Sequence, residues 1–324
     1  MNLKLILTVR SASGISRTGE DTDCRAQATV LAVGTAVPQN YIYQSDYPDY
    51  YFRVTNSRHL GDLKEKFTRI CKATEIRKRY FHLTDEMIQD HPNIAGHNEN
   101  SLDARNNLLR ANIPELGKEA ADKALQEWGQ SSDGAAAVIV GSEPEFSVEE
   151  PHFEIVSANQ TLIPGTADAI SGCVTEVGLY GSLSPDVPRH IANGIGKCIS
   201  DAFAPLEITD WNSLFWIVHP GGRKILDDVE GALKLEKDKF FVSRRVLAEY
   251  GNVASASVFF VMDEMRRRSK KEGKATTGEG KGLGHVALVS LLRLLSFVPS
   301  QSPTDVSHVA LTLLLVSLHF ANII

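Results

Sequence analysis

The segment SLFWIV, residues 213–218, is followed at once by His219-Pro220-Gly221-Gly222. A strand with one solvated face alternates apolar and polar residues. A run with no polar break that ends in Pro and Gly reads as a strand buried on both faces, which needs a helical layer on each side. TVLAVGTAV (29–37) is a further apolar β-rich run, ended by Pro38, and AAAVIVG (135–141), after the turn signal Asp133-Gly134, reads as a strand. Residues 153–163 and 169–180 also read as strands.

Helical patterns fall between these runs. Residues 115–128 set Leu116, Ala120, Ala124 and Trp128 on one stripe, with Gly129 as a natural stop. Residues 187–204 and 223–234 read as helices, residues 41–79 as largely helical, and residues 85–112 as polar with helical stretches. The segment 253–272 has a buried stripe of Ala254, Ser257, Val258, Val261, Met262 and Met265. Its basic last turns suit the negative end of the helix dipole. Alternating buried strands and amphipathic helices predict a layered α/β fold.

Composition narrows the function classes. The 324 residues are 43% hydrophobic and 23% charged, with a net charge of −6, so no basic excess points to nucleic acid. Cys24, Cys71, Cys173 and Cys198 form no CxxC pair and no metal-ligand spacing, which fits reduced thiols of a cytoplasmic protein. The opening MNLKLILTVR is too short an apolar run for a secretory signal, and residues 1–28 read as a disordered leader. Residues 308–324 are almost uncharged but fall short of the roughly 20 residues of a membrane span.

Two positions stand out chemically. His219 follows a buried strand, where α/β proteins place functional side chains, and the adjoining glycines allow close approach. Asn252 follows Gly251 and precedes the best helix. Each has a plain structural alternative: a satisfied core histidine, and an N-cap asparagine. Lys66 and Arg69, three apart on one helical face, suit either phosphate binding or a solvated charged surface. No GxSxG elbow supports a serine hydrolase built on His219.

Longer blocks carry a resemblance. LAVGTAVPQNYIYQSDYPDYYFRVTNS (31–57), LKEKFTRICKATEIRKRYFHLTDE (63–86), SLDARNNLL (101–109), LGKEAADKALQEWGQ (116–130), DGAAAVIVGSEP (133–144), DWNSLFWIVHPGG (210–222) and EYGNVASASVFFVMDEMRRRS (249–269) resemble the plant chalcone and stilbene synthases, type III polyketide synthases. The resemblance implies a thiolase-like αβαβα fold with an N-terminal domain over 29–145, a C-terminal domain over 146–281 and a divergent hydrophobic tail over 282–324. It implies a homodimeric acyltransferase that extends a starter acyl-CoA with malonyl-CoA units in flavonoid-type biosynthesis, with CoA thioesters as substrates and no metal or other cofactor.

By the same resemblance His219 and Asn252 are catalytic, Lys66 and Arg69 contact CoA phosphates, and Gly172, Gly181, Gly221 and Ala254 line the pocket. A third basic position of the CoA set is Ala73 here, with Lys72 adjacent, and Gly181 stands where the family usually has a bulky aromatic. The family's nucleophilic cysteine lies in a GC motif between the blocks EWGQ and DGAAA, which only Ser131 and Ser132 join in this chain. The N-terminal half is therefore read as incomplete and the chain as inactive. It would be a truncated family member that binds CoA or pairs with an intact homologue. After Gly280 the family's closing strands and their GFGPG loop are read as replaced by the tail.

Overall fold

In the computed structural model the described residues are 6–11, 28–96, 98–128, 138–142, 152–159, 161, 163–166, 168–253, 256–272 and 285–289. They build a helix–sheet–helix sandwich. The central six-stranded sheet runs in the order β5 (Val138–Ser142), β2 (Ala28–Val33), β6 (Phe153–Asn159), β1 (Ile6–Ser11), β10 (His285–Val289), β9 (Phe215–Val218). Strands β9 and β10 run parallel, and the other ladders of this sheet are antiparallel.

Burial on both faces explains the unbroken apolar runs. In β9 and β10, Trp216, Val218, Ala287 and Val289 pack against Ile191, Ile195 and Ile199 of α5 (Val187–Phe203) and Leu226 and Val229 of α6 (Arg223–Leu233). Ile217, Val286 and Leu288 point the other way, into Val258, Val261, Met262 and Met265 of α8 (Ser257–Glu272). Fully burying such side chains contributes roughly 1.5–3 kcal/mol each before entropy is counted. Edge strand β9 is flanked by α7 (Phe241–Tyr250), where the Ser243 hydroxyl accepts from the Val218 N–H at 3.2 Å.

At the other end of the sheet, α4 (Leu102–Trp128) covers Leu31 and Ala32 through the fully buried Ala124. The approach is so close that a Cβ on Gly34 would lie 1.9 Å from the Ala120 carbonyl oxygen. The Glu127 carboxylate accepts from the Val33 N–H at 3.1 Å and meets the Arg266 guanidinium of α8.

A smaller unit carries β3 (Asn40–Tyr43) paired with β4 (Lys78–Phe81), together with α1 (Tyr47–Val54) and α2 (Gly61–Ala73). Tyr47, Phe52, Phe67, Cys71 and Phe81 form its core. The short α3 (Asp85–Asp90), capped by Thr84, leads on toward α4. A hairpin of β7 (Ile170–Thr175) and β8 (Gly178–Leu183) docks by its turn on the start of α4, where the Ser101 and Leu102 N–H groups both donate to the Glu176 carbonyl at 3.1 Å.

Several readings of the sequence are corrected. Residues 41–79 are not one helical stretch, because the aromatic and β-branched segments at its two ends pair as β3 and β4. Residues 169–180 belong to a hairpin rather than to one strand. Helix α7 had no counterpart among the expected elements. Residues 6–11, read within a leader, form β1 between β6 and β10, since Ile-Leu-Thr-Val is a strand-forming run. Residues 285–289, read within a tail, form β10, whose side chains are buried from both faces. The Ser131-Ser132 junction, Ala254 and residues 290–324 lie outside the described residues. Among the described residues no helix is long and apolar enough to cross a membrane.

Candidate active site

The end of β9 fixes His219. Its N–H donates to the Val289 carbonyl at 2.9 Å, extending the β9–β10 ladder one residue past the strand. Its carbonyl accepts from the Gly221 N–H at 2.9 Å, which closes a three-residue turn over Pro220. The pyrrolidine ring holds φ near −65°, the value an inverse γ-turn needs. Helix α6 begins at Arg223, directly after this turn.

Gly221 keeps one edge of the imidazole clear. A Cβ there would lie 3.3 Å from His219 Cδ2, 3.5 Å from Nε2 and 3.0 Å from Ile225 Cδ1. The ring is 2% exposed, and burial pushes its pKa down to about 4, so the imidazole is neutral at physiological pH. Its Nδ1 is buried and makes no hydrogen bond with the described residues. Buried polar atoms without a partner are rare in folded proteins and costly.

Asn252 is brought to the same locus. Helix α8 follows from Ser257, whose hydroxyl accepts from the Val253 N–H at 3.0 Å. The Asn252 amide donates to the Gly221 carbonyl at 3.1 Å, two residues beyond His219. Gly251 makes this possible with φ +73° at the end of α7, in a region L side chains seldom adopt. His219, Gly221 and Asn252 therefore form one constellation drawn from two loops.

Lys66 and Arg69 stand on the exposed face of α2. Arg69 pairs with Glu65 one turn earlier at 2.5 Å, whereas Lys66 makes no ion pair with the described residues. The end of α2 leads to the site. The Arg77 N–H donates to the Ala248 carbonyl at 2.8 Å, and the Arg77 guanidinium meets Glu249 at 2.7 Å, three residues before Asn252. Gly172 and Gly181 face each other across the β7–β8 hairpin, and no described contact joins them to His219.

The thiols of known environment do not suit a nucleophile. Cys71 is buried in the aromatic core under α2, and burial pushes its pKa up. Cys198 sits on α5, partly buried against the core, and burial again pushes its pKa up, against a smaller opposing hydrogen bond to Thr161. A nucleophilic thiolate needs the opposite shift. Cys24 lies outside the described residues, and of Cys173 only the β7 backbone is described. Among the described residues no group of three or more His, Cys, Asp or Glu side chains is placed to hold a metal.

A strand-end histidine, and an asparagine bonded to the turn that follows it, meet on a layered α/β core. Comparison with known families makes this specific. Residues 16–133 match the N-terminal domain of chalcone and stilbene synthases, and residues 154–291 match the C-terminal domain of the same enzymes. The chain belongs to the chalcone and stilbene synthase family of type III polyketide synthases, transferases with the thiolase-like α/β fold and CoA-thioester substrates. The C-terminal match extends past residue 281 to include β10, and the N-terminal match begins inside the segment read as a leader.

Proposed function

We propose that this chain binds CoA thioesters through Lys66 and Arg69 on α2, with the acyl end directed to His219 and Asn252, but does not complete polyketide extension. The condensation joins a malonyl-CoA-derived enolate to a starter held on a thiolate. It needs donors where charge develops on the thioester and enolate oxygens, and a thiol deprotonated beside a base. His219 and Asn252 meet the first need. The second finds no candidate among the thiols of described environment, since burial holds both Cys71 and Cys198 protonated.

The observation that carries this reading is the buried, neutral His219 with an unbonded Nδ1, next to an asparagine already anchored on Gly221. The starter acyl-CoA, the malonyl-CoA extender, a cytoplasmic location and pairing in a homodimer belong to the same reading. A second reading, pairing with an intact homologue, is favoured by the place of β5. Among the described residues this strand is one of the two edges of the sheet, and its sequence is an uncharged apolar run of the kind that pairs readily with another strand.

Isothermal titration with CoA tests the proposal. The full chain binds, and Lys66→Ala/Arg69→Ala weakens binding about tenfold or more, with an affinity that falls as salt is raised. A double variant that binds as tightly as the parent would overturn the assignment of this face.

A further inference from the structure

We propose that Glu75 is a positioning residue that couples the basic face of α2 to the His219–Gly222 turn and to Asn252. The inference rests on the reading of α2 as the CoA-binding face.

Glu75 lies two residues beyond α2, with φ +63°, in the left-handed region that a non-glycine residue seldom occupies. Its carboxylate reaches across to two arginines. Oε1 meets Arg223 Nε at 3.1 Å, and Oε2 meets Arg244 Nη1 at 3.8 Å. Arg223 is the first residue of α6, directly after the turn that fixes His219. Arg244, on α7, also holds Asp227 at 2.7 Å and Glu230 at 2.6 Å on α6, and Arg223 holds Asp227 at 3.4 Å. The pairs close on themselves and join the end of α2, the start of α6 and the middle of α7.

Neutralisation does not require Glu75. Asp227 and Glu230 already balance Arg223 and Arg244, so Glu75 adds a surplus negative charge beside a surface meant for an anion. What it adds is geometry. The residues that follow it make the second half of the link. The Arg77 backbone bonds Ala248, Arg77 and Lys78 clasp Glu249 at 2.7 and 3.4 Å, and the Lys78 carbonyl lies against Gly251, next to Asn252. One short segment thus touches the supports of both candidate catalytic side chains. A shift of α2 on binding a phosphate group is passed to them together.

The test is Glu75→Gln in the full chain, with Arg223→Gln as a second variant and Arg53→Gln, from the exposed Arg53–Asp85 pair of the same unit, as control. Two readouts are taken: CoA affinity by calorimetry, and the His219 ring signal in histidine-labelled protein across a pH titration. Glu75→Gln and Arg223→Gln each weaken CoA binding about three- to tenfold, their effects do not add in the double variant, and both move the His219 signal. The direction is diagnostic, since removing a negative charge near an anion site would by itself tighten binding. Arg53→Gln moves neither readout. Unchanged or tighter CoA binding with Glu75→Gln, or an unmoved His219 signal, overturns the proposal. If the parent chain binds no CoA, the CoA reading of α2 fails. The His219 signal alone then decides: movement in both variants but not in the control supports the positioning role, and no movement refutes it.

Discussion

The Asn252 side-chain amide donates to the Gly221 carbonyl at 3.1 Å, so the loop after α7 is fastened to the turn that carries His219. Because the amide acts as donor, the two isosteric neutral and charged side chains should behave differently. Asn252→Ala loses an exposed bond and costs about 0.5–1 kcal/mol. Asn252→Asp sets a carboxylate against a carbonyl oxygen and costs more than the alanine. Urea unfolding checks the order, and an aspartate variant as stable as the parent would contradict this geometry.

His219 makes stability pH-dependent. Its folded pKa, about 4, lies below the ordinary value of 6.5, so the folded state refuses a proton that the unfolded state accepts. The contribution is fully present above pH 6.5 and is lost as pH falls from 6.5 toward 4. Between pH 7 and pH 5 the loss is on the order of 2 kcal/mol, at about 1.4 kcal/mol per pH unit. His219→Gln removes this share of the acid sensitivity. Denaturant titrations of both proteins at the two pH values measure it, and equal slopes with pH would be the contrary result.

Gly34 has no room for a methyl group. The obstacles are the Ala120 carbonyl oxygen at 1.9 Å and the Ala124 nitrogen at 2.6 Å, both backbone, so no side-chain rotation relieves the clash. Gly34→Ala must push α4 off β2, at a cost of several kcal/mol, about 3 or more by analogy with overpacked cores. Thermal unfolding should show a large drop in Tm or loss of soluble protein, while Gly61→Ala, where a Cβ meets nothing within 4 Å, serves as the tolerated comparison.

Ser243 satisfies the free edge of the sheet beside the site. Its hydroxyl accepts from the Val218 N–H, and the residue is fully buried on α7. Ser243→Ala orphans that N–H and costs about 1–3 kcal/mol. Hydrogen exchange at the Val218 amide should accelerate more than at Ile217. Unchanged protection at Val218 would show that the hydroxyl is not its partner.

Much of this was legible in the chain. Strands buried on both faces betray themselves by unbroken apolar runs, which located β9 and β2, and the stripe of Val258, Val261 and Met265 located α8. His219 and Asn252 could be nominated from strand-end position and the family blocks. The bond from the Asn252 amide to the Gly221 carbonyl was not legible, because it joins loops 31 residues apart in sequence. The Glu75–Arg223–Arg244 network was hidden for a general reason: three separate segments meet there, and exposed charges carry no periodic signal. Strands β1 and β10 escaped notice because β1 pairs with β6 and β10, segments remote in sequence, so no local signal marks the pairing.

Neither thiol of described environment, Cys71 nor Cys198, suits a nucleophile for His219, and the proposed loss of polyketide extension depends on this. Intact-mass measurement of the full chain after incubation with a starter acyl-CoA and malonyl-CoA addresses it directly. The predicted result is unmodified protein, with CoA binding retained and no polyketide released. An acyl adduct that maps to a cysteine and disappears in His219→Ala would contradict it.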